Sequence, residues 1–194
     1  MQRNLHMVTD VLLELENNRN WLANARRLMS PNCDARPEGC VIDLVVIHGI
    51  SLPPGQYGGP YIDQLFTNAL DADVHEYFRE IRTLRVSAHL LINREGGITQ
   101  YVPFSMRAWH AGESLFCGRA ACNDFSIGIE LEGCDETPYE NAQYRALAEV
   151  VSTLQEHWPG ITRERIVGHS DIAPERKTDP GPSFDWEYFF QLLA

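Results

Sequence analysis

One segment constrains the fold of this chain more than any other: Ile42-Asp43-Leu44-Val45-Val46-Ile47, a β-branched apolar run that ends on His48. Such a run is what a strand buried on both faces requires, and it predicts a sheet covered on two sides. The Pro53-Pro54-Gly55 and Gly58-Gly59-Pro60 clusters that follow demand an irregular loop. Phe125 to Leu131 reads as a second strand and Arg165 to Gly168 as a short third one. Ser87 to Ile92 and Ile98 to Val102, around Glu95-Gly96-Gly97, predict a β-hairpin.

Helices are predicted between these strands. Tyr61 to Leu70 and Val74 to Ile81 can each form a short one, and Trp186 to Leu193 a last one. The clearest runs from Pro138 to His157, where Tyr144, Leu147, Val151, Leu154 and Trp158 recur at helical spacing. Thr137 is its expected cap, with Glu140 as the capping-box partner. The alternation of elements gives an α/β (α+β) class with a mixed sheet in one domain, residues 21–194. Residues 1–20 read as an N-terminal extension with a short amphipathic helix over Val8 to Glu16, broken at Asn17-Asn18-Arg19-Asn20.

Charge narrows the partners. Acidic residues outnumber basic ones by 27 to 16 in 194 residues, a net charge of −11 that repels phosphate backbones and anionic lipid. The basic clusters are pairs, Arg26-Arg27 and Arg176-Lys177, so neither nucleic acid nor a membrane surface is an expected partner. No run approaches the ~20 apolar residues of a membrane span, and Asp10, Glu14 and Glu16 interrupt the place of a signal-peptide core. Five cysteines without a CxxC pair cannot complete an intrachain disulfide framework. A reducing cytoplasm is the expected location.

Several polar residues stand where chemistry could use them. His48 closes the most apolar strand, sharing a face with Ile42, Leu44 and Val46 by alternation. In α/β sheets, sites open at that carboxyl end. A core histidine satisfied by backbone would occupy the same place. In Gly168-His169-Ser170-Asp171-Ile172-Ala173-Pro174-Glu175-Arg176-Lys177-Thr178-Asp179-Pro180, Asp179 precedes a proline and is biased towards extended backbone. Lys177 and Asp179 then project the same way. Two histidines and a carboxylate with an open fourth position form a common catalytic zinc set. His75, His89 and His110 are also available, and spacing does not choose among them. In Ser126-Ile127-Gly128-Ile129-Glu130-Leu131-Glu132, alternation puts Gly128, Glu130 and Glu132 on one face, so one carboxylate can serve as general base or both can line a solvated edge. Gly128 would leave room on that face for substrate or metal. Lys177 is a candidate oxyanion stabiliser. Trp109, within Arg107-Ala108-Trp109-His110-Ala111-Gly112, suits a sugar ring as well as a core, and Arg85 can grip a carboxylate or lie idle on the surface.

The stretches ISLPPGQYGGP, LRVSAHLLI, RAWHAG, CNDFSIGIELEG and GHSDIAPERKTDPGPSFDW together resemble the AmpD-type cytoplasmic amidases of bacterial cell-wall recycling, from about Trp21 to Trp186. The resemblance implies a central mixed sheet flanked by helices, with one zinc ion in a cleft above it. It implies hydrolysis of the amide between 1,6-anhydro-N-acetylmuramic acid and the L-alanine of the stem peptide. The metal ligands would be His48, His169 and Asp179, with Glu130 as the catalytic carboxylate and Lys177 as the catalytic lysine. Glu130 would take a proton from the attacking water and Lys177 would steady the oxyanion. Trp109 and His110 would meet the sugar, and Arg85 and Arg176 the peptide carboxylates. A monomer is expected, with an anhydro-muropeptide as substrate partner. Loss of activity would induce a chromosomal β-lactamase in a host with the matching regulator. Peptidoglycan-binding relatives that lack a ligand and amidases acting on intact wall are the rival readings. The family usually carries asparagine where this chain has Gly49.

Overall fold

The computed structural model describes residues 13–16 and 20–193. Among these residues ten strands, β1 (Arg26–Arg27), β2 (Cys33–Ala35), β3 (Leu44–Ile50), β4 (Leu90–Ile92), β5 (Ile98–Gln100), β6 (Met106–Ala108), β7 (Leu115–Phe116), β8 (Arg119–Ala120), β9 (Ser126–Glu132) and β10 (Ile166–Gly168), are joined by five α-helices. These are α1 (Tyr61–Phe66), α2 (Glu76–Ile81), α3 (Asn141–His157), α4 (His169–Ile172) and α5 (Trp186–Leu192). Six strands form one sheet in the order β1-β5-β4-β9-β3-β10. β4, β9, β3 and β10 run parallel to one another, and β5 is antiparallel to β4.

β3 is predicted by its apolar run and is buried on both faces, as is β9 along its whole length. Val45 and Ile47 of β3, with Ile127, Ile129 and Leu131 of β9, join Tyr144, Leu147, Val151 and Leu154 of α3 and Phe189 of α5 in the largest core. On the opposite face, Leu44 and Val46 pack with Ile172 of α4 and Phe125. There Leu91 of β4 also meets Ile62 and Phe66 of α1 and Phe78 and Ile81 of α2. Helices therefore flank a central mixed sheet in one domain.

Three element ends depart from expectation for local reasons. α3 starts three residues late because Glu140, not Thr137, is its cap: Glu140 and Gln143 form the reciprocal capping box. Thr137 instead bridges to Cys134. α1 stops at Phe66 rather than Leu70, where Asn68 adopts a φ of 60° that no helix continues through. α2 begins at Glu76 because His75 caps it, its Nδ1 accepting the Tyr77 N–H at 3.2 Å. The expected helix over Val8 to Glu16 lies outside the described residues except for 13–16, which are not helical. There Leu15 bridges Leu22, and the Leu13 carbonyl accepts from the Thr153 hydroxyl at 3.0 Å. β1, β2 and the short pairs β2–β6 and β7–β8 were not foreseen in the sequence.

Candidate active site

Three parallel strands deliver the polar residues. His48 and Glu130 are direct register partners on β3 and β9, and His169 follows Gly168, the last residue of β10. The side chains open into a cleft of about 570 Å³ whose polar wall includes His48, Glu130, His169, Lys177 and Asp179. Apolar residues also line it, among them Leu65, Phe66, Ile81, Leu84, Val86 and Trp109.

His48, His169 and Asp179 converge on one point. The two Nδ1 atoms are 2.9 Å apart, and each lies 3.1 Å from Asp179 Oδ2. Among the described residues no other group of three or more metal-ligating side chains comes together. Of the other histidines, His75 is a helix cap, and His89 accepts the Gly128 N–H at 3.0 Å and faces the Met106 carbonyl at 3.1 Å. Burial pushes His48 down to about 4, so the ring is neutral at pH 7. Burial works against the Asp179 carboxylate, yet the two imidazoles beside it hold its pKa well below the usual range.

The residues fit a zinc ion. His169 Nε2 lies 3.2 Å from the Ala111 carbonyl, which can only accept, so that nitrogen carries the proton and Nδ1 is the atom left to offer a lone pair. That lone pair faces the Asp179 carboxylate, also an acceptor, and a cation between them resolves the conflict. Tetrahedral zinc with bonds of about 2.0–2.1 Å holds its donor atoms roughly 3.3 Å apart, close to the spacing found.

Behind the ligands, two consecutive residues serve both histidines. His110 Nδ1 meets His48 Nε2 at 2.9 Å, and the Ala111 carbonyl meets His169 Nε2. Asn123 Oδ1 accepts the backbone N–H of both, at 3.1 and 2.8 Å, and Ser126 Oγ lies 3.1 Å from His110 Nε2. Outer partners of this kind fix the tautomer and orientation of a metal-binding histidine. The space above Gly128 is filled by the His110 ring: a Cβ there would overlap it. The glycine thus makes room for a ligand's support rather than for substrate. Burial, reinforced by the charges of His48 and His89, holds the His110 pKa well below its ordinary value.

The two carboxylates of β9 have separate fates. Glu132 accepts the Gly58 N–H at 2.6 Å and the Arg94 N–H at 3.2 Å, tying the Pro/Gly-rich loop and the β4–β5 turn to the sheet. Glu130 is buried with an Oε2 that has no hydrogen-bond partner. Burial, then the Asp179 charge, push its pKa well above the carboxylate range, and the Lys177 charge pulls it back.

The remaining candidates divide. Trp109 and His110 line the cleft; Arg85 and Arg176 do not. Arg85 donates to the Arg82 and Leu84 carbonyls, and Arg176 donates to those of Ala111 and Glu113, at 2.7 and 2.8 Å. Arg176 thereby holds the carbonyl that orients His169. Asn123, Ser126 and the Ala111 carbonyl escaped sequence reasoning; the one available signal was two small polar residues bracketing the start of an apolar strand.

The fold and site define a mixed-sheet α/β protein with a cluster of two histidines and one carboxylate that could hold a metal ion. The family model for N-acetylmuramoyl-L-alanine amidase matches residues 38–182. The chain belongs to that family. It is 58% identical over 174 residues, 90% of this chain and 92% of the relative, to the 1,6-anhydro-N-acetylmuramyl-L-alanine amidase AmpD of Enterobacter cloacae. A crystal structure of a selenomethionine AmpD derivative superposes with a TM-score of 0.89 at 56% identity, covering 93% of this chain and 99% of that one. The amidase AmiD of E. coli, in complex with anhydro-N-acetylmuramic acid-L-Ala-D-γ-Glu-L-Lys, superposes with a TM-score of 0.57 at 31% identity, covering 92% and 65%. Among the described residues no helix is long and apolar enough to cross a membrane.

Proposed function

We propose that this chain is a zinc-dependent amidase that cleaves the bond between 1,6-anhydro-N-acetylmuramic acid and L-alanine, in the cytoplasmic recycling of wall fragments. The carrying observation is the unpartnered Glu130 carboxylate opposite His48, beside a three-donor metal set. The AmpD relative's name and the ligand in the AmiD complex support the substrate class.

His48, His169 and Asp179 would hold the metal, which would supply Lewis-acid chemistry by lowering the pKa of a water to about 7. Glu130 accepts a proton from the attacking water as its oxygen bonds to the lactyl carbonyl carbon. The same carboxyl then gives that proton to the alanine nitrogen as the C–N bond breaks. An environment that raises its pKa favours both transfers near neutral pH. Lys177, on the same wall, places its ammonium against the developing oxyanion. Trp109 offers the sugar an aromatic face. Arg85, between the cleft residues Leu84 and Val86, is the candidate for a stem-peptide carboxylate. His110 and Arg176 act through the ligands they support.

Hydrolysis of anhydro-muramyl tripeptide tests the reading. Release of peptide by zinc-loaded protein that stops on chelation and collapses in Glu130→Ala is expected. Binding without release by fully loaded protein would overturn the catalytic reading in favour of a recognition module.

A further inference from the structure

Tyr139 lies just before the cap of α3, buried with its ring against Tyr144 and Phe184. Its hydroxyl donates to the Pro180 carbonyl at 2.9 Å, one residue beyond Asp179. Two glycines at the carboxyl ends of β3 and β9 form the slot for this side chain. A Cβ on Gly133 would overlap the ring edge, and a Cβ on Gly49 would overlap the hydroxyl oxygen while leaving ring carbon Cζ at 3.6 Å. Gly49 follows His48, and strand alternation turns position 49 away from His48's face towards Tyr139. A side chain there would meet the hydroxyl at its first carbon.

We infer that Tyr139 is a positioning residue for the metal site: its hydroxyl latches the Pro180 carbonyl, sets the Asp179 carboxylate against the two Nδ1 atoms, and requires glycine at position 49. One oxygen thereby links the segments that carry the first and third ligands. The inference rests on the zinc reading of His48, His169 and Asp179. The 178–181 turn has its own backbone support, from Ser170 N–H to the Asp179 carbonyl at 3.0 Å and from Gly181 N–H to the Thr178 carbonyl at 3.0 Å. Loss of the latch leaves a folded turn with a less well placed carboxylate.

The test is zinc affinity by competition with a chromophoric chelator, together with metal-free Tm, for wild type, Tyr139→Phe, Gly49→Ala and the double variant. Outer partners of metal ligands are worth about 10- to 100-fold in affinity, and the expected loss is about tenfold in Tyr139→Phe. Gly49→Ala is expected to lose as much affinity and more Tm, because its methyl meets the hydroxyl. In the double variant the phenyl ring has no oxygen to clash. Its Tm should recover to that of Tyr139→Phe, with no further loss of affinity. Wild-type zinc affinity in Tyr139→Phe, or in Gly49→Ala, would overturn the latch. Multiplied losses in the double variant would also overturn it, by making the two residues independent. Failure of the wild type itself to bind zinc would instead remove the metal reading beneath it.

Discussion

His48 and Glu130 face each other as register partners on the parallel strands β3 and β9, side chains in one cleft. An imidazole and a free carboxylate are thus held about one strand spacing apart, roughly 4.8 Å between backbones. Both strands are buried at these positions, so the geometry belongs to the sheet and not to a loop. The same face carries Leu91 of β4, the register partner on the far side of Glu130.

Burial predicts a stability cost at Glu130. A carboxyl with a raised folded pKa favours the folded state at low pH and loses that advantage as pH rises through the raised value. Replacing it by neutral Gln should raise the Tm of the metal-free protein more at about pH 8 than at about pH 5. For a chain of this size each kcal/mol moves Tm by about 2–4 °C. Thermal unfolding at the two pH values checks it; an equal difference at both refutes the shift.

Removing the partner of His48 should loosen the metal. His110→Ala is expected to weaken zinc binding by about 10- to 100-fold, and Ser126→Ala less, in the same direction. Chelator competition measures both. Full affinity in His110→Ala would mean that His48 is held by the strand alone.

Gly128→Ala puts a methyl into the His110 ring. Overpacking of this kind costs about 1–3 kcal/mol, and the displaced ring should take zinc affinity down with it. A variant with wild-type Tm and affinity would show that the ring has another place to go.

Lys177→Ala should lower kcat by about 10²–10³ if its charge steadies the oxyanion. Zinc content should be unchanged, since Lys177 is not among the three converging ligands. Unaltered kcat would take Lys177 out of the reaction.

Glu132 supplies the contrast to its neighbour on the same face. Glu132→Ala removes a charged acceptor from two backbone N–H groups and is expected to cost about 2–4 kcal/mol of stability. Zinc affinity should survive. Denaturant unfolding and chelator competition, run side by side, separate the two effects.

The parts of this molecule that were legible in the sequence are those written in local periodicity. The runs around Val45, Ile129 and Leu147 foretold β3, β9 and α3, because burial on both faces or on one stripe dictates residue type. The ligands His48, His169 and Asp179 were candidates from strand ends and a proline-rich turn, but the choice over His75 and His89 came from resemblance to a family. The support around them was not legible. The Ala111 carbonyl has no side-chain signature, and Arg176 reaches it across 65 positions. Glu130 and Glu132 are alike in sequence and differ only in which found backbone donors after folding.

The two edges of the six-stranded sheet have a consequence for life in a crowded solution. One edge, β1, is two residues long and both are arginines, one of them bound to Asp63. The other, β10, has three residues before the chain turns into α4. An unpaired edge is a template on which a second molecule can add a strand and begin an aggregate; short and charged edges deny it the length to do so. The turn that brings His169 to the cleft is therefore also what ends the exposed edge. A substitution that let β10 run on would threaten solubility as directly as it threatened the ligand.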